Sequence, residues 1–148
     1  MSFTPRARTD PNDPFSTLFT VTNESAFDIE DGYFACHMNN VAVPNYGLAV
    51  RDLDGSVGPH YVHEIGAHKS QDVLCHFGAA GHAFVAATNA PAFEYSVADI
   101  TLCASFRPYL WFRRREWERF VAVTDGHGKI VDWAHDANSS DCSWQVLP

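Results

Sequence analysis

The sequence predicts an all-β domain, an antiparallel β-sandwich of seven to nine short strands, and three observations support this fold class. Apolar and polar residues alternate with a period of two in several short runs, as in half-buried strands. Turn-forming residues separate these runs, and no run shows apolar residues at helical spacing. Aromatic residues, which favour pleated sheets, make up 14% of the chain. A barrel is the alternative arrangement of such strands.

The chain of 148 residues has the length of one ordinary domain. Residues 1–14 are rich in Pro, Arg and Asp, and this composition predicts an extended N-terminal linker. Residues 15–134 carry the alternating runs and form the predicted sandwich domain. Residues 135–148 are polar for the most part and are predicted to be a C-terminal tail.

The first two predicted strands lie on either side of a polar corner. Phe19 and Val21 alternate with threonines as in a half-buried strand, and residues 23–25 interrupt it. Residues 29–38 resume an extended run whose side chains point alternately to two faces. Phe34, Cys36 and Met38 share one predicted face, and Tyr33, Ala35 and His37 share the other.

The later elements follow from turn signals and alternation. Residues 44–47 form a Pro-Asn-Tyr-Gly turn signal, and residues 51–60 and 78–92 are loop-like, with one weak strand over 83–87. Alternation predicts further strands over 73–77, 93–106, 116–124 and 129–133. In the clearest of these, one face carries Ile100, Leu102, Ala104 and Phe106, and the other carries Asp99, Thr101, Cys103 and Ser105.

The charge and the absence of long apolar runs limit the class of protein. The formal net charge is −8, so the surface as a whole does not attract nucleic acid, and we expect no nucleic-acid partner. The sequence has no run of 18 apolar residues and no signal-peptide pattern at its start. Two localisations stay open: a cytoplasmic protein, or the soluble domain of a membrane-anchored or exported protein. The linker-like composition of residues 1–14 favours the second.

Three segments resemble a group of uncharacterised bacterial proteins. They are DPNDPFSTLFTVTNESAFDIEDGYFAC, VLCHF and ADITLCASFRPYLWFRRREWERFVAVTDGHGKIVDW, and together they span most of residues 10–134. The resemblance implies an immunoglobulin-like or fibronectin-III-like sandwich, often preceded by a membrane anchor, and it implies no enzymatic activity. The present chain has more histidines and a longer middle of small residues, so the resemblance carries no loop function over to it.

The four cysteines, Cys36, Cys75, Cys103 and Cys142, allow three disulfide pairings. Their spacing lacks C-x₂-C and does not indicate a zinc site. Cys36 and Cys75 lie on the apolar faces of their strands, whereas Cys103 lies off that face and Cys142 lies in the tail. This pattern favours a Cys36–Cys75 bond inside the sandwich and a Cys103–Cys142 bond that pins the tail. Four reduced thiols, as expected in a cytosol, are the alternative.

Five of the eight histidines fall between residues 60 and 82. His60, His63 and His68 are candidate ligands for a transition metal, because imidazole suits Zn, Ni and Cu. The spacing argues against this site, since H-x₂-H places two side chains on opposite faces of a strand, and no H-E-x-x-H helix motif is present. Surface histidines bonded to water or to the backbone are the alternative.

The segment over residues 107–119 is basic and aromatic. It holds five of the ten basic residues, and the rest of the chain carries a formal net charge of −11. Arginine suits carboxylate or phosphate partners, and tryptophan with arginine is typical of protein interfaces and membrane surfaces. The alternative is a hairpin whose aromatic rings pack on the sheet beneath arginine stems. The candidate binding residues are Arg107, Trp111, Arg113, Arg114, Arg115, Trp117 and Arg119.

Sequence motifs of the common catalytic classes are missing. Neither G-x-S-x-G, G-x-G-x-x-G nor a P-loop occurs, so the sequence predicts no enzymatic activity and no cofactor. We therefore expect a non-enzymatic binding or scaffolding domain of the cell envelope that contacts a protein or a membrane surface through residues 107–119. Metal binding through the histidines of residues 60–82 is the alternative function. No sequence feature indicates an oligomeric state.

Overall fold

A computed structural model describes residues 1–10, 14–43, 48–54, 60–75, 97–108, 112–125 and 130–137. Within these ranges the chain forms nine β-strands and a short 3-10 turn at Pro14–Ser16. The strands are β1 (Ser2–Arg8), β2 (Thr17–Thr22), β3 (Ile29–Val43), β4 (Leu48–Asp54), β5 (His60–Ile65), β6 (Ser70–Leu74), β7 (Val97–Pro108), β8 (Arg114–Thr124) and β9 (Ile130–Asp136). These ranges contain no helix whose length and apolar character would let it cross a membrane.

The strands form two antiparallel sheets. The smaller sheet has the order β1-β2-β6, and the larger has the order β4-β3-β7-β8-β9. The 15-residue strand β3 pairs with β4 along one part of its edge and with β5 along another part. This arrangement confirms the predicted antiparallel sandwich.

The core lies between the sheets and uses the faces that alternation predicts. On β3, Phe34 and Met38 are buried in the main apolar cluster. Phe19 of β2 and Phe120 of β8 meet across the two sheets with ring centroids 5.1 Å apart. Burial of each such side chain contributes about 1.5–3 kcal/mol to stability. On β7 both predicted faces are buried, the apolar one in the main cluster and the more polar one on the opposite side of the sheet.

A disulfide between Cys36 and Cys75 confirms one predicted pairing. Cys36 lies on β3 of the larger sheet and Cys75 follows β6 of the smaller sheet, so the bond links the sheets covalently. Their Cα atoms are 5.5 Å apart, within the usual range for a disulfide. Cys103 is also disulfide-bonded. Its predicted partner, Cys142, lies outside the described residues.

Several element bounds differ from the prediction. Residues 2–8, assigned to a linker, form edge strand β1, in which Phe3 is buried and Pro5 is tolerated because one side of the strand is unpaired. Residues 60–65 form β5, which shows no two-residue alternation because Val62 and Ile65 are its buried residues. The predicted turn at 44–47 and weak strand over 83–87 lie outside the described residues.

The corner between β2 and β3 is held by the buried side chain of Asn23. Its amide nitrogen donates to the carbonyl oxygens of Phe27, Ile65 and Gly66 at 2.8, 3.0 and 3.2 Å. Its amide oxygen accepts from the backbone N–H and the hydroxyl of Ser25. One side chain thus connects this corner to the turn between β5 and β6, and it fixes where β3 begins.

Candidate functional site

The pairing of β7 with β8 divides the predicted arginine segment between two faces of the larger sheet. Ser105 pairs with Arg115, and Phe106 pairs with Arg114. Because cross-strand partners share a face, Arg115 lies on the outer face of the sheet, whereas Arg114 lies on the face that carries Phe106. Arg114 forms an ion pair with Glu116 at 3.1 Å on that face. The segment is therefore not one continuous surface.

Arg119 has a structural role. Its Nη2 lies 2.8 Å from the Oδ2 of Asp99, whose side chain is buried, and its Nε lies 3.6 Å from Asp136. Removal of one partner from such a pair leaves an uncompensated charge. We therefore take Arg119 out of the candidate binding residues and assign it to the stability of the sheet.

Two arginines of the segment converge on a pair of tyrosines on the outer face. Tyr33 of β3 and Tyr61 of β5 are cross-strand partners whose ring centroids are 5.0 Å apart. The Arg113 guanidinium lies 5.0 Å from the Tyr33 ring centroid, within the range of a cation–π contact. Arg107 Nη1 lies 3.3 Å from Oδ2 of Asp31. We call these five residues, Asp31, Tyr33, Tyr61, Arg107 and Arg113, the tyrosine–arginine cluster.

Asp31 is positioned by an irregularity in β3. Its backbone has φ = 49°, in the left-handed region that Asp tolerates better than most residues. The register of β3 against β7 shifts between Glu30 and Tyr33 at the same place. The following residue, Gly32, has little room for a side chain, since an added Cβ would lie 3.0 Å from the Phe34 ring. Such bulges re-aim side chains, and here the Asp31 carboxylate reaches both Arg107 and Tyr61.

The hydroxyl of Tyr61 is a hydrogen-bond donor to Asp31. It donates to Oδ1 at 2.9 Å, and this hydrogen bond is the main cause that raises the pKa of Tyr61. The Tyr61 oxygen also lies 3.3 Å from Nδ1 of His63. With its pKa raised above the ordinary value of 10.0, the hydroxyl keeps its proton at neutral pH and remains a donor.

Both cluster arginines retain hydrogen-bonding capacity. Arg113 donates through Nη1 alone to the Asp31 carbonyl and to Ser105 Oγ, both at 3.4 Å. Arg107 makes its one ion pair with Asp31. A guanidinium has five N–H groups. Within the described residues, most of these donors therefore have no hydrogen-bond partner.

Exposed aromatic side chains surround the cluster. Phe112, which directly precedes Arg113, is 81% exposed, and Trp117 on the outer face of β8 is 41% exposed. Trp111, another predicted binding residue, lies outside the described residues. Large exposed aromatics near arginine are the residue types that carry most of the binding energy in protein interfaces.

The structure does not bring the candidate metal ligands close to one another. His60 and His63 are exposed on β5, and His68 lies in the following turn with φ = 57°. Among the described residues, no three His, Cys, Asp or Glu side chains are close enough together to hold a metal ion. His76 and His82 lie outside those residues, so a metal site that includes them stays a prediction.

Three of the five cluster residues were not predicted from the sequence as site residues. Asp31, Tyr33 and Tyr61 are far from residues 107–119 in sequence, and only the pairing of β3 with β5 and β7 brings them together. A local signal existed for one of them. An Asp-Gly pair inside a predicted strand, as at residues 31–32, is typical of a bulge.

Comparisons of this chain with protein-family models, with curated proteins and with solved structures find no match. The resemblance to an uncharacterised bacterial group therefore stays a prediction. The class that the fold defines is an antiparallel, disulfide-linked β-sandwich with an outer-face cluster of tyrosine and arginine.

Proposed function

We propose that this protein is a non-enzymatic binding domain that contacts another protein through the outer face of its larger sheet. The observation that carries the proposal is the tyrosine–arginine cluster, in which Arg113 lies over Tyr33 and the rings of Tyr33 and Tyr61 pack together. Tyrosine, tryptophan and arginine are enriched at protein interfaces, and they dominate hot spots.

The internal contacts of the cluster favour binding because they reduce the entropy that association costs. Arg113 is held by the Tyr33 ring and by two hydrogen bonds, and Tyr61 is held by its bond to Asp31. An arginine side chain that is already ordered loses less rotamer freedom when a partner arrives. A surface of mobile side chains would lose more.

A membrane surface is the second candidate partner. The observation that favours it is Phe112, which is 81% exposed beside Arg113 and Arg114, because aromatic and basic residues together suit a lipid headgroup region. The acidic group within the surface, Asp31, and the formal net charge of −8 weaken attraction to an anionic membrane. We therefore place a protein partner first.

We further propose that the domain works in an oxidising compartment, as an exported or membrane-anchored part of the cell envelope. Disulfides persist in such compartments and are rare in a reducing cytosol, and the bond between Cys36 and Cys75 supports this placement. Alkylation of thiols in rapidly acid-quenched cells tests it. Protein that carries four alkylated cysteines in the cell would instead support the cytoplasmic alternative.

Site-specific photo-crosslinking in the source cells tests the binding function. A photoreactive phenylalanine analogue at Phe112 should form a discrete adduct of higher mass, whereas the same analogue at exposed Val131 on edge strand β9 should not. The adduct should be lost in Arg113→Glu and kept in Arg6→Glu, a control arginine on the smaller sheet that is 60% exposed. Equal adducts in both variants would refute the proposed surface.

Co-sedimentation with lipid vesicles separates the two partner classes. We expect the wild-type protein to stay in the supernatant with vesicles that contain one-third anionic lipid. Sedimentation that is lost on Phe112→Ser and on Arg113→Glu, together with no protein adduct, would favour the membrane surface. Phe112 is highly exposed, so its replacement leaves the fold intact.

A further inference from the structure

We infer that the tyrosine–arginine cluster receives a carboxylate of the partner, and that Asp31 occupies the place of this carboxylate in the free protein. This inference rests on the proposed function and names the chemistry of the partner group: an aspartate side chain, a glutamate side chain or a C-terminal carboxylate.

The contacts of Asp31 define a carboxylate-binding geometry. The Tyr61 hydroxyl donates to one carboxylate oxygen at 2.9 Å, and Arg107 lies 3.3 Å from the other oxygen. The carboxylate thus accepts one hydrogen bond on Oδ1 and meets a guanidinium in an ion pair at Oδ2. The same hydroxyl and guanidinium can serve a carboxylate of a partner without any change in their positions.

The cluster carries more positive charge than Asp31 neutralises. Arg113 forms no ion pair with the Asp31 carboxylate, and its hydrogen bond to Asp31 is to the backbone carbonyl at 3.4 Å. Glu30 is the cross-strand partner of Arg107, and Glu64 on β5 is the partner of Glu30, yet within the described ranges neither carboxylate forms an ion pair with Arg107 or Arg113. Among the residues described, Asp31 is thus the one ion-paired carboxylate beside two guanidinium groups, and both groups can contact a carboxylate of the partner.

The internal contact is weak enough to be exchanged. The side chains of Arg107 and Asp31 are 51% and 31% exposed, and they meet at one atom pair rather than as a bidentate fork. Exposed ion pairs of this kind contribute little to stability. A partner carboxylate that also contacts Arg113 gains a second guanidinium, which Asp31 itself does not have.

NMR titration with defined peptides tests the inference. The probes are a terminally blocked hexaglutamate peptide, its hexaglutamine counterpart and inorganic phosphate, each titrated into the folded domain at low ionic strength. We expect the glutamate peptide to shift the side-chain Nε–H signals of Arg107 and Arg113 and to saturate. The glutamine peptide should leave both signals unchanged.

Substitution of Asp31 provides the decisive variant. Asp31→Asn keeps an oxygen acceptor for Tyr61 and tolerates the left-handed backbone, but it removes the competing charge. We expect it to bind the glutamate peptide at least threefold more tightly than the wild type, whereas Arg113→Ala should weaken binding severalfold. Asp72→Asn is the matched control, since Asp72 forms a similar exposed pair with Arg6 at 3.4 Å and should change nothing.

Three results would overturn the inference. They are equal shifts with the glutamate and glutamine peptides, unchanged or weaker binding by Asp31→Asn, and tighter binding of phosphate than of the peptide. The proposed function fails separately. If Phe112 forms an adduct that depends on Arg113 but the peptide does not bind, the proposed function stands. The partner then presents no carboxylate to the cluster. Peptide binding without such an adduct would support the carboxylate site but would count against the proposed binding of a protein partner.

Discussion

The guanidinium of Arg119 lies 2.8 Å from the carboxylate of Asp99, which is 6% exposed, on the outer face of the larger sheet. This pair gives Arg119 a structural role, which distinguishes it from the exposed arginines near it in sequence. The distinction has a direct consequence for stability. A buried carboxylate that loses its cationic partner remains charged in a poorly solvated site, and this destabilises the folded state.

We expect Arg119→Ala to lower the free energy of unfolding by about 2–3 kcal/mol, less than the loss for a fully buried pair because Arg119 is 27% exposed. Arg114→Ala should cost less than about 1 kcal/mol, because Arg114 is 67% exposed in its pair with Glu116. Urea unfolding followed by tryptophan fluorescence measures both. Similar losses in the two variants would contradict the structural role of Arg119.

Replacement of Asn23 should destabilise the corner between β2 and β3. Asn23→Ala removes three donated and two accepted hydrogen bonds and leaves the carbonyl of Ile65 without this donor. We expect a loss of about 2–4 kcal/mol in the free energy of unfolding. Gln71→Ala, at an exposed position of β6, is the control and should change stability by less than about 0.5 kcal/mol. A near-neutral Asn23 variant would show that the corner holds without it.

The disulfide between the sheets should contribute strongly to stability. The double variant Cys36→Ala, Cys75→Ala opens a loop of 39 residues, and chain entropy predicts a loss of about 3–4 kcal/mol. Chemical denaturation checks the loss without added reductant. Cys103→Ala, measured beside it, separates the contribution of the other disulfide-bonded cysteine. An unchanged unfolding midpoint in the double variant would contradict this prediction.

The pH dependence of stability should contain a contribution from Glu118. Burial raises the pKa of Glu118 above the ordinary value of 4.5, while the nearby charge of His135 offsets part of the effect. The folded state therefore holds this proton more tightly than the unfolded chain. Stability falls as the pH rises from 4.5 through the raised pKa, because only the folded state is still protonated there.

Glu118→Gln should remove this fall, because glutamine does not ionise. Relative to the wild type, the variant should gain stability across that window and keep the gain at higher pH. Urea unfolding between pH 4 and pH 8 measures the difference, with Glu64→Gln at an exposed position of β5 as the control. A stability difference that stays constant with pH would count against the role of Glu118.

The strands that alternation predicts are those that bury one full face. Phe34 and Met38 on β3 and Ile100 to Phe106 on β7 are of this kind, and the pairing of Cys36 with Cys75 followed from the same faces. Strand β1 escaped prediction because an edge strand needs few apolar residues, and β1 buries Phe3 alone among its side chains.

Part of the candidate site could be predicted from the sequence. Arg107 and Arg113 are part of a conspicuous basic segment, but nothing local connects them to Tyr61 or Asp31. That connection depends on the register of β3 against β5 and β7, which arises from long-range pairing. The ion pair of Arg119 with Asp99 depends on another long-range register, that of β7 against β8, because Thr101 of β7 is the cross-strand partner of Arg119 and Asp99 lies two residues away.

The bond between Cys36 and Cys75 also limits how far the chain can be stretched. A domain that joins an anchored chain to a partner transmits tension whenever the two are pulled apart. The bond encloses 39 residues, so about 14 nm of contour length is withheld from extension even after every strand has separated. Under load, the protein would lengthen by that much less than its full contour length, and the sheet that bears the tyrosine–arginine cluster would stay tethered to its neighbour.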